Sequence, residues 1–260
     1  FNPNENMMPL DKVLPVDKWA LDKLNKLIDK VKESYENFEF HQVYHNIRKF
    51  CVVDMSNFYL DILKDRLYVE SANSSSRRAA QTTIYLILNA MTRLLAPILA
   101  FTAEEIWRYI PHNCSEEVGS VLFNSMPEKL ALNVTNDFID SWDKIGEIRI
   151  DVQKALELAR KDKVIGSSLE AKVTLHCTDE LYDFVISVKD DLKDVFIVSQ
   201  VDLEKNNSGN YVAENVKGLS VTISRANGKK CERCWSFSDT VGKNSNNENI
   251  CSRCADILNK

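Results

Sequence analysis

Apolar residues recur every three or four positions along most of the first 160 residues, which is the spacing of one buried face on an α-helix. The first such stripe comprises Val16, Trp19, Ala20, Leu24, Leu27, Ile28, Val31, Tyr35 and Phe38. Pro15 and Asp17 are typical of a helix start. The Lys, Asp and Glu residues between the apolar positions indicate an ordinary solvated face. We therefore predict a long amphipathic helix that buries this stripe.

Four further segments have the same period, over residues of roughly 40–68, 77–95, 101–111 and 137–160. Pro97 should end or kink the third helix, and Pro111 should end the fourth. The stretch from Pro111 to about Asn136 has no period, which indicates irregular structure. Five long helices predict a bundle over residues 1–161, with Trp107 in its core.

The pattern then changes to short runs rich in Val, Ile and Thr, which favours β-strands. The strand-like runs cover residues 172–177, 194–201, 211–216 and 219–224. A short helical stretch, 180–188, separates the first two runs, and Lys217-Gly218 forms a turn between the last two. We predict a small α+β connector subdomain over residues 162–226.

Composition is that of a globular protein, with 44% apolar and 27% charged residues. The formal net charge of -5 gives no overall basic field, so any contact with nucleic acid must come from local clusters of Lys and Arg. No apolar run reaches the roughly 18 residues of a membrane span, and the N-terminus has no signal pattern. We expect a cytoplasmic protein without a membrane partner, and Cys51, Cys114 and Cys177 to be isolated reduced thiols.

Four other cysteines form two Cys-x2-Cys pairs, Cys231 with Cys234 and Cys251 with Cys254, separated by sixteen residues. This spacing predicts a four-cysteine zinc ribbon, because each pair places two thiolates on one side of a tetrahedral ion. Four thiolates leave no open coordination position, so one structural Zn2+ is expected, in a module over residues 227–260. The ligands alone also suit iron.

Basic and aromatic residues surround these cysteines, namely Arg225, Lys229, Lys230, Arg233, Lys243 and Arg253, with Trp235 and Phe237 between them. Cations for phosphates and aromatic faces for unstacked bases are typical of proteins that bind single-stranded RNA. Alternatively, the two aromatic residues form the core of the module and the charges keep it soluble. The candidate RNA contacts are Lys229, Lys230, Arg233, Trp235 and Arg253.

The cysteine motifs resemble a known zinc-finger type. Cys231-Glu232-Arg233-Cys234-Trp235, then Gly242 and Cys251-Ser252-Arg253-Cys254, are similar to the C-terminal finger of bacterial-type isoleucyl-tRNA synthetases. Formamidopyrimidine-DNA glycosylases contain a finger of the same type.

A second set of motifs resembles the anticodon-binding helix bundle of class I aminoacyl-tRNA synthetases. The similar stretches are 40–44, 54–56, 59–68 and 94–107, and 165–171 resembles the junction after that bundle in the isoleucyl branch. The resemblance covers nearly the whole chain. It implies a mainly α fold, with a helical bundle of anticodon-binding type, a small α+β subdomain and the zinc ribbon.

The resemblance also implies a function and its partners. The chain would recognise the anticodon side of isoleucine tRNA, and the rest of the synthetase chain would attach isoleucine using ATP. It implies phosphate contacts at basic positions of the bundle, for which Lys64, Arg66, Arg77 and Arg78 are the candidates. No DNA partner is expected.

The class I active-site motifs, of His-Ile-Gly-His and Lys-Met-Ser-Lys-Ser type, do not occur in this sequence. We therefore expect a C-terminal fragment that begins where the catalytic part ends, that has no catalytic residues and that cannot charge tRNA alone. His41 and His45 are weak evidence for a metal site, because no acidic third ligand accompanies them. Asp151 and Glu157, like Glu104 and Glu105, indicate solvated charges or local pairs.

Two alternatives belong to other functional classes. A DNA-repair glycosylase with this finger type would use an N-terminal proline nucleophile, which Phe1 does not supply, and Pro3 is not at the terminus. A protein-interaction scaffold would use the bundle and the ribbon to bind other proteins, and would have no affinity for RNA.

Overall fold

The computed structural model describes residues 1–206, 208–244 and 247–259. The chain divides into two compact units, Phe1–Ile139 and the part from Asp140 onward. The fold is mainly helical, with a small sheet region and a four-cysteine cluster, as predicted. The three domain ranges expected from the sequence, 1–161, 162–226 and 227–260, stay a prediction. Among the described residues, no helix combines the length and the apolar composition that a bilayer crossing requires.

The first unit consists of helices and irregular connections. Its helices are α1 (Pro3–Asn6), α2 (Pro15–Glu36), α3 (Phe40–Lys49), a π-helix (Phe50–Tyr59), α4 (Leu60–Ile62), α5 (Lys64–Tyr68), α6 (Ser75–Leu95), α7 (Ala100–Tyr109) and a 3-10 helix (Val121–Phe123). Helix α2 packs against α3 and α6, and α6 packs against α7. The helix predicted over 40–68 is a nearly continuous helical run. Its middle, residues 50–59, has π geometry, with wider hydrogen-bonded turns than an α-helix.

The predicted stripe of α2 is buried except at its C-terminal end. Trp19 is 5% exposed and Leu24 is 1% exposed, and Trp107 in α7 is 1% exposed. Phe38 contradicts the prediction, because it is 79% exposed. Helix α2 ends at Glu36, and Phe38 has a φ of 58°, so it no longer lies on the helical face that the period describes.

A buried ion pair joins the start of α2 to α5. The guanidinium of Arg66 donates to both carboxylate oxygens of Asp17, at 2.8 and 2.7 Å. The Tyr59 hydroxyl donates to Asp17 at 2.7 Å, and the backbone N–H of Leu14 donates to the same carboxylate at 3.1 Å. Arg66 also donates to the backbone carbonyl of Ser76 at 2.8 Å. One charge pair thereby connects α2, the π-helix, α5 and α6.

Helix α8 (Asn136–Lys161) leads into the second unit, where a four-stranded sheet has the order β2-β1-β4-β3. The strands are β1 (Ala171–Cys177), β2 (Gln200–Glu204), β3 (Tyr211–Val212) and β4 (Leu219–Arg225). Strand β1 pairs parallel with β2 and antiparallel with β4. The parallel connection requires a crossover, which α9 (Asp179–Ser187) and α10 (Lys189–Phe196) provide.

The strand predicted over 194–201 is wrong in its first half. Leu192, Val195 and Phe196 are buried at helical spacing on α10. Ile197, at a φ of 56°, ends that helix, and β2 begins at Gln200. The apolar run over 194–201 does not distinguish a helix from a strand, because it contains both the end of α10 and the start of β2.

The strand predicted over 211–216 extends only to Val212, because Asp151 binds the backbone that follows. The carboxylate of Asp151 accepts hydrogen bonds from the backbone N–H groups of Glu214, Asn215 and Val216, at 3.0 to 3.3 Å. Asp151 is fully buried and binds backbone more than sixty positions away, so its interpretation as a solvated charge or a local pair is also wrong. The predicted turn is present, and Gly218 occupies it with a φ of 83°.

Candidate metal centre and nucleic-acid interface

Two local structures bring the four ligand cysteines together. Cys231 follows β5 (Lys229–Lys230), and Cys234 lies in the turn before β6 (Phe237–Ser238). Cys251 is the N-cap of α11 (Ser252–Leu258), and Cys254 lies in its first turn. The four sulfur atoms all lie within 4.8 Å of one another.

This arrangement fits a tetrahedral zinc ion. With Zn–S bonds of about 2.3 Å, the sulfur atoms of a tetrahedral site lie about 3.8 Å apart, and the Sγ atoms of Cys234 and Cys251 are 3.8 Å apart. A disulfide would require about 2.05 Å. Cys231, Cys251 and Cys254 are buried, so these residues can hold one structural zinc, as predicted. Four sulfur ligands leave no position for a reacting water.

Hydrogen bonds prepare one sulfur atom for metal binding. Burial raises the pKa of the Cys231 thiol, but hydrogen bonds from the backbone N–H groups of Cys234, Cys251 and Arg233 and from the Cys234 side chain together lower it by more, to about 6. The N–H of Cys251 lies 3.3 Å from that sulfur. Burial raises the pKa of Cys254 to about 12, although a hydrogen bond from the Arg233 side chain acts in the opposite direction. A bound zinc ion would supply the positive charge that keeps all four ligands deprotonated.

Trp235 is exposed at the tip of the first cysteine turn. Its backbone N–H donates to the carbonyl of Cys231 at 2.9 Å, and its φ is 65°. The left-handed conformation turns the side chain outward, so that 61% of it is exposed. The ammonium of Lys230 lies 5.4 Å from the centre of the Trp235 ring. Trp235 is therefore not a core residue, whereas Phe237 is half-buried.

The basic residues of the module differ in their surroundings. Lys229, Lys230 and Arg253 are exposed. Arg233 is half-buried, and its side chain is hydrogen-bonded to the sulfur of Cys254. Its guanidinium thus offsets the negative charge of the thiolates.

A cleft of about 330 Å³ lies beside the module, and sequence reasoning missed two residues that line it, Lys193 of α10 and Gln200 of β2. Arg253 and Phe237 also line it. Ser199 lines the cleft as well, and its hydroxyl oxygen accepts a hydrogen bond from the backbone N–H of Phe237 at 2.7 Å. Lys193 directly precedes the strand predicted over 194–201, and the sequence pattern gives no sign of a contact with residues forty or more positions away.

The basic residues proposed in the first unit are mostly engaged within the chain. Lys64 is exposed and pairs with Asp61 at 2.6 Å. Arg77 donates to the carbonyl of Glu70 at 3.3 Å, and Arg78 donates to Gln81 at 3.0 Å. Arg66 requires a correction, because it is 8% exposed and held by Asp17. Its guanidinium cannot reach a phosphate without breaking that pair.

Sequence reasoning also missed a basic surface in the first unit. A concave surface of about 150 Å³ is lined by Lys23, Lys26, Lys30 and Lys49, with Leu27, Asn46, Phe50 and Asp54. The sequence pattern places the lysines of α2 on an ordinary solvated face. His41 and His45 are exposed on α3, and neither belongs to a metal-binding group in the described part of the chain.

Two protein-family models match this chain. A family model described as the anticodon-binding domain of tRNA ligase matches residues 17–175. A second model, the zinc finger found in FPG and IleRS, matches residues 228–257 and so includes all four cysteines.

Curated relatives are similar over nearly the whole chain. The chain is 45% identical over 259 residues to the isoleucine–tRNA ligase of Caldanaerobacter subterraneus subsp. tengcongensis, which covers 98% of this chain and 28% of the relative. It is 45% identical over 258 residues to that of a Thermoanaerobacter species and 44% identical over 259 residues to that of Bacillus cereus, each with 28% of the relative covered. The chain thus spans less than a third of the length of these relatives. Because the first family model matches more than half of it, the chain belongs to the family of anticodon-binding domains of tRNA ligases.

Proposed function

We propose that this chain is the tRNA-recognition region of an isoleucine–tRNA ligase. It holds the anticodon side of isoleucine tRNA in the cytoplasm, while the catalytic part of the ligase attaches isoleucine to the acceptor end using ATP. The observation that carries this proposal is Trp235, an exposed aromatic ring beside Lys230 on the turn that contains the zinc-ligand candidates Cys231 and Cys234. It is supported by the family match and by the relatives.

The chemistry of the zinc module suits an unpaired RNA loop. An exposed aromatic face can stack on a splayed base, and such stacking contributes about 1–3 kcal/mol per base. Exposed ammonium and guanidinium groups at Lys229, Lys230 and Arg253 can bind phosphates, which fix the register of the RNA. Because the net charge is -5, these local cations, rather than an overall field, must attract the polyanion.

The role of the zinc ion in this function is structural. It holds the turn of Cys231 and Cys234 against the start of α11, and this fixes the position of Trp235 and Arg253 relative to each other. A bound RNA then meets a preorganised surface and loses less free energy to the ordering of the protein.

Replacing Trp235 with alanine should weaken binding of isoleucine tRNA by about 1–3 kcal/mol, or roughly 5-fold to 150-fold. The change removes the exposed ring and leaves the four cysteines in place. The measurement is a filter-binding titration of the zinc-loaded chain against isoleucine tRNA and a non-cognate tRNA, at low and at physiological salt. The logarithm of the affinity should fall with the logarithm of salt concentration by about 0.7 per phosphate neutralised on single-stranded RNA.

Trp235→Phe is the matched control, because it keeps an aromatic face and should retain most of the affinity. Equal tRNA affinity of the Ala and Phe variants would show that the aromatic ring at position 235 does not contribute to binding. Salt-insensitive binding, or no binding of either tRNA by the wild-type chain, would contradict the proposed function. Tight binding to a protein in place of RNA would favour the scaffold alternative.

A further inference from the structure

The basic concave surface of the first unit, here called the lysine groove, is formed by two neighbouring helical segments. Lys23, Lys26 and Lys30 come from α2, and Lys49 comes from the last position of α3. The floor is Leu27 and Phe50, which are buried. The groove therefore lies where α3 passes into the π-helix, on a well-packed part of the unit.

The groove carries an excess of positive charge. Four lysines line it together with one carboxylate, that of Asp54. Lys26 pairs with Asp22 on its own helix at 2.8 Å, and the Lys23 ammonium lies 5.3 Å from the centre of the Trp19 ring. Lys30 and Lys49 are exposed, and in the described part of the chain neither forms an ion pair with a carboxylate.

Such clustering is unfavourable in the chain by itself. Like charges three or four positions apart on one helix repel each other by a few tenths of a kcal/mol, and Lys26 and Lys30 have this spacing. Lys49 adds a fourth ammonium from the facing helix. The attraction of the ammonium groups to an anion in the groove would offset this repulsion, so the arrangement favours an anionic ligand.

The dimensions favour a phosphate chain over a small molecule. A volume of about 150 Å³ lies well below the roughly 300–1,000 Å³ of pockets that enclose drug-sized ligands. The lysines of α2 extend along the helix, since Lys30 lies seven positions after Lys23 and each position adds about 1.5 Å, which gives about 10 Å. The groove can therefore contact successive phosphates of a strand whose sugars and bases remain outside.

We infer that the lysine groove binds the phosphate backbone of the tRNA, and that Lys30 and Lys49 make the main contacts. This inference rests on the proposed function and deepens it. Of the basic residues that the sequence suggested in this unit, Arg66 is held by Asp17 and Arg78 by hydrogen bonds within the chain. Lysine suits the role, because a flexible point charge binds phosphate without requiring one orientation.

The test is the double variant Lys30→Ala with Lys49→Ala in the full chain, compared with Lys12→Ala with Lys161→Ala. Both variants lose two positive charges from exposed positions, so a general effect of net charge is common to them. Alanine is a strong helix former, and Lys30 and Lys49 both lie in helices. Circular dichroism checks that the fold is retained.

The groove variant should bind isoleucine tRNA and a non-cognate tRNA more weakly by the same factor, because phosphate contacts carry no base information. Its slope of log affinity against log salt should be smaller than that of the wild type by about 1.4 to 1.8, for two lost phosphate contacts. The control variant should keep the wild-type slope. An unchanged slope in the groove variant, or an equal change in both variants, would overturn the inference and leave the proposed function standing. Absence of tRNA binding by the wild-type chain would overturn both.

Discussion

Replacing Cys254 with serine should remove zinc from the chain and unfold the zinc module, residues 228–258. Cys254 is fully buried, and its sulfur lies within 4.8 Å of the other three. The binding free energy of a structural zinc ion is about 10 kcal/mol or more, and all of it contributes to folding of the segment that holds the ion. The metal content, measured by mass spectrometry of the purified protein, should fall from one zinc per chain to well below one.

We expect a large effect because the module has little secondary structure to stabilise it without the metal. Strands β5 and β6 have two residues each, and α11 has seven. A two-stranded hairpin and an isolated helix of that length are not stable alone in water. Hydrogen exchange should therefore show loss of protection at the amides of Cys231 and Trp235, which are both hydrogen-bonded in the intact turn.

Cys114→Ser is the matched control, because Cys114 is exposed and lies outside the cluster. It should keep one zinc and the protection of the module. The amides of α2 and α6 in the first unit should exchange as in the wild type in both variants. A Cys254→Ser protein that keeps one zinc per chain would refute the four-ligand site, and recovery of iron in place of zinc would identify the other metal that four thiolates suit.

Replacing Asp17 with alanine should destabilise the first unit by about 3–5 kcal/mol, which is the typical cost of removing one partner from a buried ion pair. The variant leaves the Arg66 guanidinium buried without its carboxylate, and the Tyr59 hydroxyl without its acceptor. The backbone N–H of Leu14 loses its partner as well. Urea unfolding, followed by hydrogen exchange at amides of α2 and α6, measures the loss within this unit.

Asp29→Ala is the corresponding control on the same helix. Asp29 pairs with Lys129 at 3.1 Å, but both side chains are more than half exposed, and such surface pairs contribute about 0–1 kcal/mol. Similar midpoints for the two variants would show that the Asp17 pair does not hold the unit together. A loss that appears only for Asp17 would also confirm that Arg66 serves the fold.

Local patterns accounted for most of the helices, since the period of a buried stripe is a property of successive residues. Helix α2, with its Pro15 and Asp17 start signals, is an example. The pattern did not show the π geometry of residues 50–59, where the buried residues Phe50, Met55 and Tyr59 lie at intervals of five and four. It also misassigned 194–196, where a short apolar run is compatible with either a helix or a strand.

The zinc ligands could be assigned from the sequence because each Cys-x2-Cys turn is a local structure and the metal joins the two turns. The roles of single basic residues could not. Arg66 and Lys49 are both basic positions in the same helical run, yet one is held by Asp17 and the other lies in an open groove. The difference depends on which distant carboxylate each side chain meets.

The sequence by itself therefore determined the helical character, the metal module and the family, since these depend on spacing and on residue type at nearby positions. Only the tertiary structure decided which charges are available to a ligand. Asp151 and Asp17 are buried by backbone and side chains from other elements, while Lys30 and Lys49 become neighbours through the packing of α2 against α3. The physical reason is that burial and charge pairing are properties of contacts between elements, and periodicity within one element does not specify them.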